Sequence, residues 1–262
     1  MTSTLKSIYF ASDFHLGIPS HSKSLLREKE ICSWLDYISS DAKIVYLLGD
    51  IFDFWYEYKS CIPKGFVRLQ AKIAELVDKG IEIHIFHGNH DMWMFDYLKE
   101  ELGVTIHQKE LSLNLNDSLF FLAHGDGIGP GDRGYKFVKK IFRNKICQWL
   151  FARLHPNFGI GMARYLSKKS RGDYKIEDYK FESWEKESIY QFIQKRELKM
   201  HSDFYIMGHR HLPLKVEINN STYINLGEWL HYNSFAKYDG NKVELLQWKN
   251  GHIEILKSQH EN

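Results

Sequence analysis

Cysteine is scarce in this chain. Cys32, Cys61 and Cys147 are the three among 262 residues, and they are too scattered for a disulfide framework or a C-x-x-C metal knuckle. That usage predicts a reducing compartment. Long apolar runs are missing too. The longest, 44–48 and 119–123, fall far short of the about 20 residues that span a bilayer. The opening Met-Thr-Ser-Thr-Leu-Lys carries no apolar signal region, so a cytoplasmic protein is expected. No internal repeat and no low-complexity stretch stand out. Charge of one sign is also lacking, since 35 Lys/Arg face 33 Asp/Glu for a net +2. What remains is ordinary globular material, 44% hydrophobic and 26% charged, enough for a sizeable core and unlike a disordered chain.

The first half alternates strand and helix patterns. Strands are predicted at 7–12, 43–48 and 81–86. Between them lie helices at 24–38, with Leu25, Leu26, Ile31, Trp34, Leu35 and Ile38 as its apolar set, and at 65–78. That alternation implies parallel strands with right-handed crossovers. After Gly103 the period shortens towards two, giving short strands at 104–108, 111–115 and 119–123 in antiparallel or mixed pairing. Residues 127–200 read as mostly helical. Six strand patterns follow, at 204–207, 214–218, 222–225, 234–238, 243–248 and 253–256. The whole predicts an α/β sandwich, one domain over 1–262, interrupted by a helical cap at about 127–200.

Five strand patterns end in clusters of Asp, His and Asn. They are Asp13-Phe14-His15, Gly49-Asp50-Ile51-Phe52-Asp53, Gly88-Asn89-His90-Asp91, His124-Gly125-Asp126 and Gly208-His209-Arg210-His211. In open α/β sheets, ligands bind beyond the carboxyl ends of the strands. Gathered on one edge, these side chains form an imidazole and carboxylate shell suited to Zn, Fe or Mn, with no thiolate for a structural zinc. Any one block alone reads as a hydrogen-bonded turn or a packed histidine. Five in order, each at a strand end, do not.

The ordered blocks D-x-H, G-D-x-x-D, G-N-H-D, H-G-D and G-H-x-H resemble the calcineurin-like metallophosphoesterases, and they span nearly the whole chain from Asp13 to His211. The resemblance implies a four-layer α/β/β/α sandwich around two divalent metal ions, Mn²⁺ first, with Fe or Zn as alternatives. It implies that Asp13, His15, Asp50 and His211 hold one ion, and that Asp50, Asn89, His124 and His209 hold the other. Asp50 would bridge the two. His90 and Asp91 would be catalytic residues, His90 beside the bound phosphoryl oxygen. Asp53 and Asp126, with Asp91, would orient the ligands. Two cations about 3.5–4 Å apart would acidify a shared water and clamp both oxygens of an in-line displacement at phosphorus, the bridging hydroxide attacking.

Within that family, phosphoprotein phosphatases carry G-D-x-x-D-R-G, whereas here Asp53 is followed by Phe54-Trp55-Tyr56. The string from Gly49 to Trp55 is instead similar to the UDP-2,3-diacylglucosamine pyrophosphatases of lipid A synthesis, as are Ser12-Asp13-Phe14-His15-Leu16-Gly17 and an insert after Asp126. The implied reaction releases UMP and 2,3-diacylglucosamine 1-phosphate. Asp132 stands at the position of a substrate-contacting aspartate, with Arg133, Tyr135, Lys168, Lys169 and Arg171 as further substrate-binding candidates. One position departs from that pattern, G-N-R-D being replaced by Gly88-Asn89-His90-Asp91. A phosphate leaving group, with a pKa of about 6, departs without a proton. An alkoxide benefits from a general acid, which histidine can be and arginine cannot. A phosphodiesterase or phosphatase acting on another nucleotide or phospholipid is therefore the alternative. A non-catalytic scaffold is the third reading, disfavoured because every ligand position is filled.

The net charge hides an asymmetry. From Asp126 to Lys175 there are twelve Lys/Arg and three acids, so this stretch carries +9 and the remainder −7. Phe137, Val138, Ile141, Phe142, Ile146, Trp149, Leu150, Phe151 and Leu154 recur there at helical spacing. Cations for anionic head groups beside an apolar face suit a peripheral element on the inner face of the membrane. A solvated basic face over an ordinary core stripe fits the same residues equally well. Nucleic acid is not expected as a partner, because no nucleic-acid motif accompanies the charge. Oligomeric state has no signature in the sequence.

Overall fold

The computed structural model of the chain describes residues 6–131, 133–171 and 181–256, with only the backbone for 168–171. Two sheets form its centre. The first runs β12-β11-β10-β1-β2-β3-β4 and the second β5-β6-β7-β9-β8. In the first, β1 (Ser7–Ala11), β2 (Ala42–Leu47), β3 (Glu82–Phe86) and β4 (Thr105–His107) are parallel. The antiparallel strands β10 (Ser234–Tyr238), β11 (Val243–Lys249) and β12 (His252–Ile255) extend it past β1. In the second, β6 (Ser118–Ala123), β7 (Phe204–Met207) and β9 (Ser221–Leu226) are parallel, flanked by antiparallel β5 (Leu111–Leu115) and β8 (Pro213–Ile218).

Alternate side chains of each strand face opposite layers. Ile8, Phe10, Ile44, Tyr46 and Phe86 meet Phe120, Leu122, Ile206 and Ile224 between the sheets. On the outer face of the first sheet, Tyr9, Ala11, Val45, Leu47, Ile83 and Ile85 receive α1 (His21–Ile38), α2 (Val67–Asp78) and α3 (Tyr97–Leu102) through residues such as Ile31, Trp34, Leu69, Ile73 and Leu98. On the outer face of the second, Phe121, Tyr205 and Tyr223 receive Ile189 and Ile193. The fold is thus the expected α/β/β/α sandwich.

Three details differ from the sequence reading. Residues 105–107 pair parallel to β3 and close the first sheet, so the period-two region is divided between both sheets. The six-residue α3 has no counterpart among the predicted helices. Leu26 is 63% exposed, and the buried face of the first turns of α1 is polar, made by Ser24, Arg27 and Glu28. Between β6 and β7 the chain forms α4 (Arg133–Arg143), α5 (Lys145–Phe151) and α6 (Pro156–Arg171), then a short 3-10 helix (Trp184–Lys186) and α7 (Ser188–Glu197). Neither α4 nor α5 buries a side chain fully. Phe151, Ile160 and Ala163 seat this stretch on a satellite cluster of Phe54, Tyr56, Met92 and Trp93.

Candidate metal centre

The five clusters follow β1, β2, β3, β6 and β7, whose parallel alignment within each sheet brings their carboxyl ends to one edge. Five of the side chains there sit on backbone in the left-handed region: Asp13 (φ 56°), His15 (42°), Asp50 (53°), His209 (67°) and His211 (59°). Non-glycine residues adopt it at a cost, and such strain concentrates at functional sites. Close approach explains Gly88, where a Cβ would collide with the Asp50 carboxylate.

The ligand atoms converge in two groups that share Asp50. Asp13, His15, Asp50 and His211 form one, and Asp50, His124 and His209 the other, the donor atoms within each lying no more than 4.8 Å apart. In the first, His15 Nε2 and His211 Nε2 are 3.0 Å apart. His211 Nε2 is 3.1 Å from Asp13 Oδ1, and His15 Nε2 is 3.7 Å from both Asp13 Oδ1 and Asp50 Oδ2. In the second, His124 Nε2 is 3.4 Å from Asp50 Oδ2 and 3.1 Å from Asn89 Oδ1. Asp13 Oδ1 and Asp50 Oδ2 are buried and accept no hydrogen bond. Buried carboxylate oxygens left this way are costly. Imidazole nitrogens converging on them make a cradle that a divalent cation fits.

Tautomers agree with that reading. His124 Nδ1 lies 2.7 Å from the Leu48 carbonyl, which can only accept, so Nδ1 carries a proton and Nε2 is the nitrogen turned to Asp50, able to ligate once a cation takes the place of its proton. Burial alone would lower the basicity of His15 and His124. The neighbouring carboxylates outweigh it and raise both to about 10, His15 through Asp13 and Asp53, His124 through Asp50. Burial opposes ionisation of Asp13 and Asp50 too, yet facing imidazoles, His211 first for Asp13 and His124 first for Asp50, hold both below the ordinary carboxylate range. The carboxylates thus draw positive charge into the cradle, as protons or as metal.

Backbone and side-chain contacts fix the loops. The Asp91 carboxylate accepts from the backbone N–H groups of Gly88 (2.9 Å), Asp50 (3.2 Å), Ile51 (2.7 Å) and Phe52 (3.2 Å), tying the second cluster to the third. The Asp50 Oδ1 accepts from His90 N at 2.8 Å, and Asp13 Oδ2 from His209 N at 3.0 Å. Asp53 Oδ1 lies 3.8 Å from His15 Nδ1. Sequence reasoning missed Arg27, whose guanidinium donates to the carbonyls of Phe14 (2.7 Å), His15 (2.6 Å) and Ile18 (2.6 Å). Its one signal was a charged residue in register with Ile31 and Trp34. Glu57 was missed as well. It holds the Trp55 indole at 3.0 Å and accepts from the N–H groups of Asp96 and Tyr97 at the start of α3.

All seven predicted ligands lie at this edge, with Asp53 and His90 beside His15. Asp126 is also close, bound by the Tyr135 hydroxyl and by Lys139 at 2.5 Å. Tyr135 is therefore partly buried on Asp126, while Arg133 is exposed. Asp132 lies outside the described residues. Lys168, Lys169 and Arg171 have their backbone on α6, and their side chains lie outside the described part.

This chain belongs to the calcineurin-like phosphoesterase family, whose model matches residues 6–213. Among curated relatives, the UDP-2,3-diacylglucosamine hydrolase of Porphyromonas gingivalis is 39% identical over 91% of this chain and 96% of its own length. The protein of the same name from Histophilus somni is 27% identical over 92% of this chain and 100% of its own. Among solved structures, the phosphoesterase Yfce of E. coli superposes with a TM-score of 0.47 at 15% identity, covering 94% of this chain and 96% of that one.

Proposed function

We propose that this protein is a divalent-metal-dependent hydrolase that cleaves the pyrophosphate of UDP-2,3-diacylglucosamine to UMP and 2,3-diacylglucosamine 1-phosphate. The observation that carries the chemistry is the sharing of buried Asp50 by two convergent ligand groups. The substrate assignment rests on the two relatives of that name matched along almost their whole length. Asp13, His15, Asp50 and His211 would hold one cation, and Asp50, Asn89, His124 and His209 the other, Mn²⁺ being the first choice. A cation pair in such a cradle supplies Lewis acidity towards phosphoryl oxygens and lowers the pKa of water. Asp50, common to both ligand groups, would offset charge repulsion between the cations. The Leu48 carbonyl keeps His124 Nε2 turned to the centre. Asp91 acts on the loop backbone, with its carboxylate on four N–H groups, and Asp53 orients His15 and His90.

We read the insert, about 127–200, as a cap for this edge, with Arg133 and Tyr135 as candidate contacts to the nucleotide and sugar phosphates; the further candidates Asp132, Lys168, Lys169 and Arg171 lie, whole or by their side chains, outside the described residues. It is also the surface we assign to the inner face of the membrane. No helix among the described residues is long and apolar enough to cross a bilayer. Ile146 (69% exposed), Trp149 (55%), Phe158 (62%) and Tyr165 (65%) lie open on α5 and α6, amid the basic residues of the insert. His90, where arginine is usual in this group of enzymes, favours a phosphoester substrate as the second reading.

The test is product analysis with UDP-2,3-diacylglucosamine and Mn²⁺, beside bis(p-nitrophenyl) phosphate. UMP release that stops on chelation and returns with Mn²⁺ is expected. Diester cleavage without UMP release would move the substrate to the second reading. Full turnover after exhaustive chelation would sink the metal mechanism.

A further inference from the structure

His90 does not stand alone on its loop. Its Nδ1 lies 3.1 Å from the Asp53 carbonyl oxygen and 3.1 Å from Ser167 Oγ. Ser167 Oγ in turn lies 3.5 Å from Asp53 Oδ2. Ser167 belongs to α6, in the insert, 77 residues from His90 in sequence. A carbonyl can only accept, so Nδ1 carries the proton, and the serine oxygen is its second acceptor. The other ring nitrogen, Nε2, is then the one with a lone pair.

Histidine χ2 is broad and roughly two-fold, so a ring flip exchanges Nδ1 with a carbon at modest cost unless something selects one orientation. Here the Asp53 carbonyl and the Ser167 hydroxyl select it together. The ring also meets His15 edge-on at 5.0 Å between centroids, and the His90 backbone N–H is fixed on Asp50. The approach of α6 is built, not incidental. Ile160 and Ala163, two turns and one turn before Ser167, pack on the cluster that holds Phe54 and Met92, the neighbours of Asp53 and Asp91.

We infer that Ser167 is a positioning residue that acts through His90, so that the helical insert completes the phosphoryl-transfer site besides covering it. This goes beyond the proposed function in one respect and rests on it in another. It needs hydrolysis at this metal edge, but not a lipid substrate. A positioning contact holds His90 for any phosphorus substrate. A contact to substrate alone would matter only for a substrate that reaches α6.

The experiment compares the full chain with Ser167→Ala and Ser167→Thr, with Mn²⁺, on both UDP-2,3-diacylglucosamine and bis(p-nitrophenyl) phosphate. Loss of an orienting hydrogen bond of this kind costs about tenfold. The alanine variant is expected to lower kcat by about that factor on both substrates with KM little changed, and threonine, which keeps the hydroxyl, to restore it. A rise in KM confined to the lipid substrate, or an unchanged kcat, would overturn the inference. A second readout needs no turnover. In ¹⁵N-histidine spectra the His90 ring is expected as a single Nδ1–H tautomer in the wild type and as a tautomer mixture in Ser167→Ala. An unchanged His90 spectrum in the alanine variant would contradict the assignment. Failure of UMP release with intact diester kinetics and spectra would count against the proposed substrate and leave the role of Ser167 standing.

Discussion

At the sandwich edge, carboxylates and imidazoles are buried and interlocked. Asp13, His15, Asp50 and Asp91 are at most 1% exposed, and their loops are tied to one another by backbone donors and by Arg27. In the insert the reverse holds, with Trp149, Phe158 and Tyr165 more than half exposed and no fully buried side chain on α4 or α5. One region holds groups rigidly for chemistry and accepts backbone strain to do it. The other presents surface, and touches the first at a few points: Tyr135 and Lys139 on Asp126, Ser167 on His90, and the aromatic seat around Trp93. Substitutions at the edge should therefore act on turnover and metal affinity. Substitutions on the open face of the insert should act on where the protein binds.

The largest effect is expected at the edge. Asp50→Asn removes the carboxylate shared by both ligand groups. Hydrolysis is expected to fall by about 10²–10³-fold, as with loss of a central electrostatic element in other enzymes, with circular dichroism unchanged. Substantial retained activity would break the distinction between the two regions. Next comes Arg27→Lys, which keeps the charge and loses the fork that reaches three carbonyls. Mn²⁺ affinity is expected to weaken by about tenfold while the melting temperature of the metal-free protein moves little. Equal affinity would mean that the loop holds its shape without Arg27.

On the insert, flotation with anionic vesicles is expected to weaken in Trp149→Ser and in Lys140→Glu, both exposed positions, with hydrolysis of bis(p-nitrophenyl) phosphate unaffected. Lys136 and Lys139 are poor choices for that test, because Lys136 donates to the Gly129 carbonyl and Lys139 is paired with Asp126. Unchanged flotation in both variants would leave the insert a plain solvated face.

The smallest effect lies on β3 and β4, where His84 Nδ1 and His107 Nε2 meet at 2.9 Å, stacked against Tyr46 and Phe86, with Glu82 3.7 Å from His84. Burial holds both imidazoles below their usual pKa, the attraction of Glu82 for the His84 proton notwithstanding. The pair is thus neutral in the fold, and its contribution is present above about pH 6.5 and lost as pH falls through the depressed values. Denaturation at pH 7 and pH 5 in the presence of chelator should show stability falling, and His107→Phe should flatten that slope. An equal slope in the variant would contradict this account of the pair.

The ligand set was legible because its chemistry is local. Each group is a polar residue directly after an apolar strand, and parallel strand order then brings the groups together. The polar lining of α1 was less legible. The pattern of Leu25 and Leu26 suggested a continuous apolar stripe, whereas Arg27 and Glu28 face inward to serve loops 14–18 and the start of α2. The parallel partner of β4 could not be read from three residues of strand. Contacts such as Lys139 on Asp126 or Ser167 on His90 depend on where the insert folds back, which no periodicity encodes. The charge excess of the insert was correctly countable from sequence, but its division into paired and exposed cations needed three dimensions.

Counting bound Mn²⁺ by calorimetry on the metal-free wild type, Asp13→Asn and Asp50→Asn tests the shared carboxylate most directly. Two ions per chain are expected for the wild type, one tight ion retained when Asp13 is changed, and weakening of both when Asp50 is changed. Two tight ions in Asp50→Asn, or a single ion in the wild type, would contradict a centre built around Asp50.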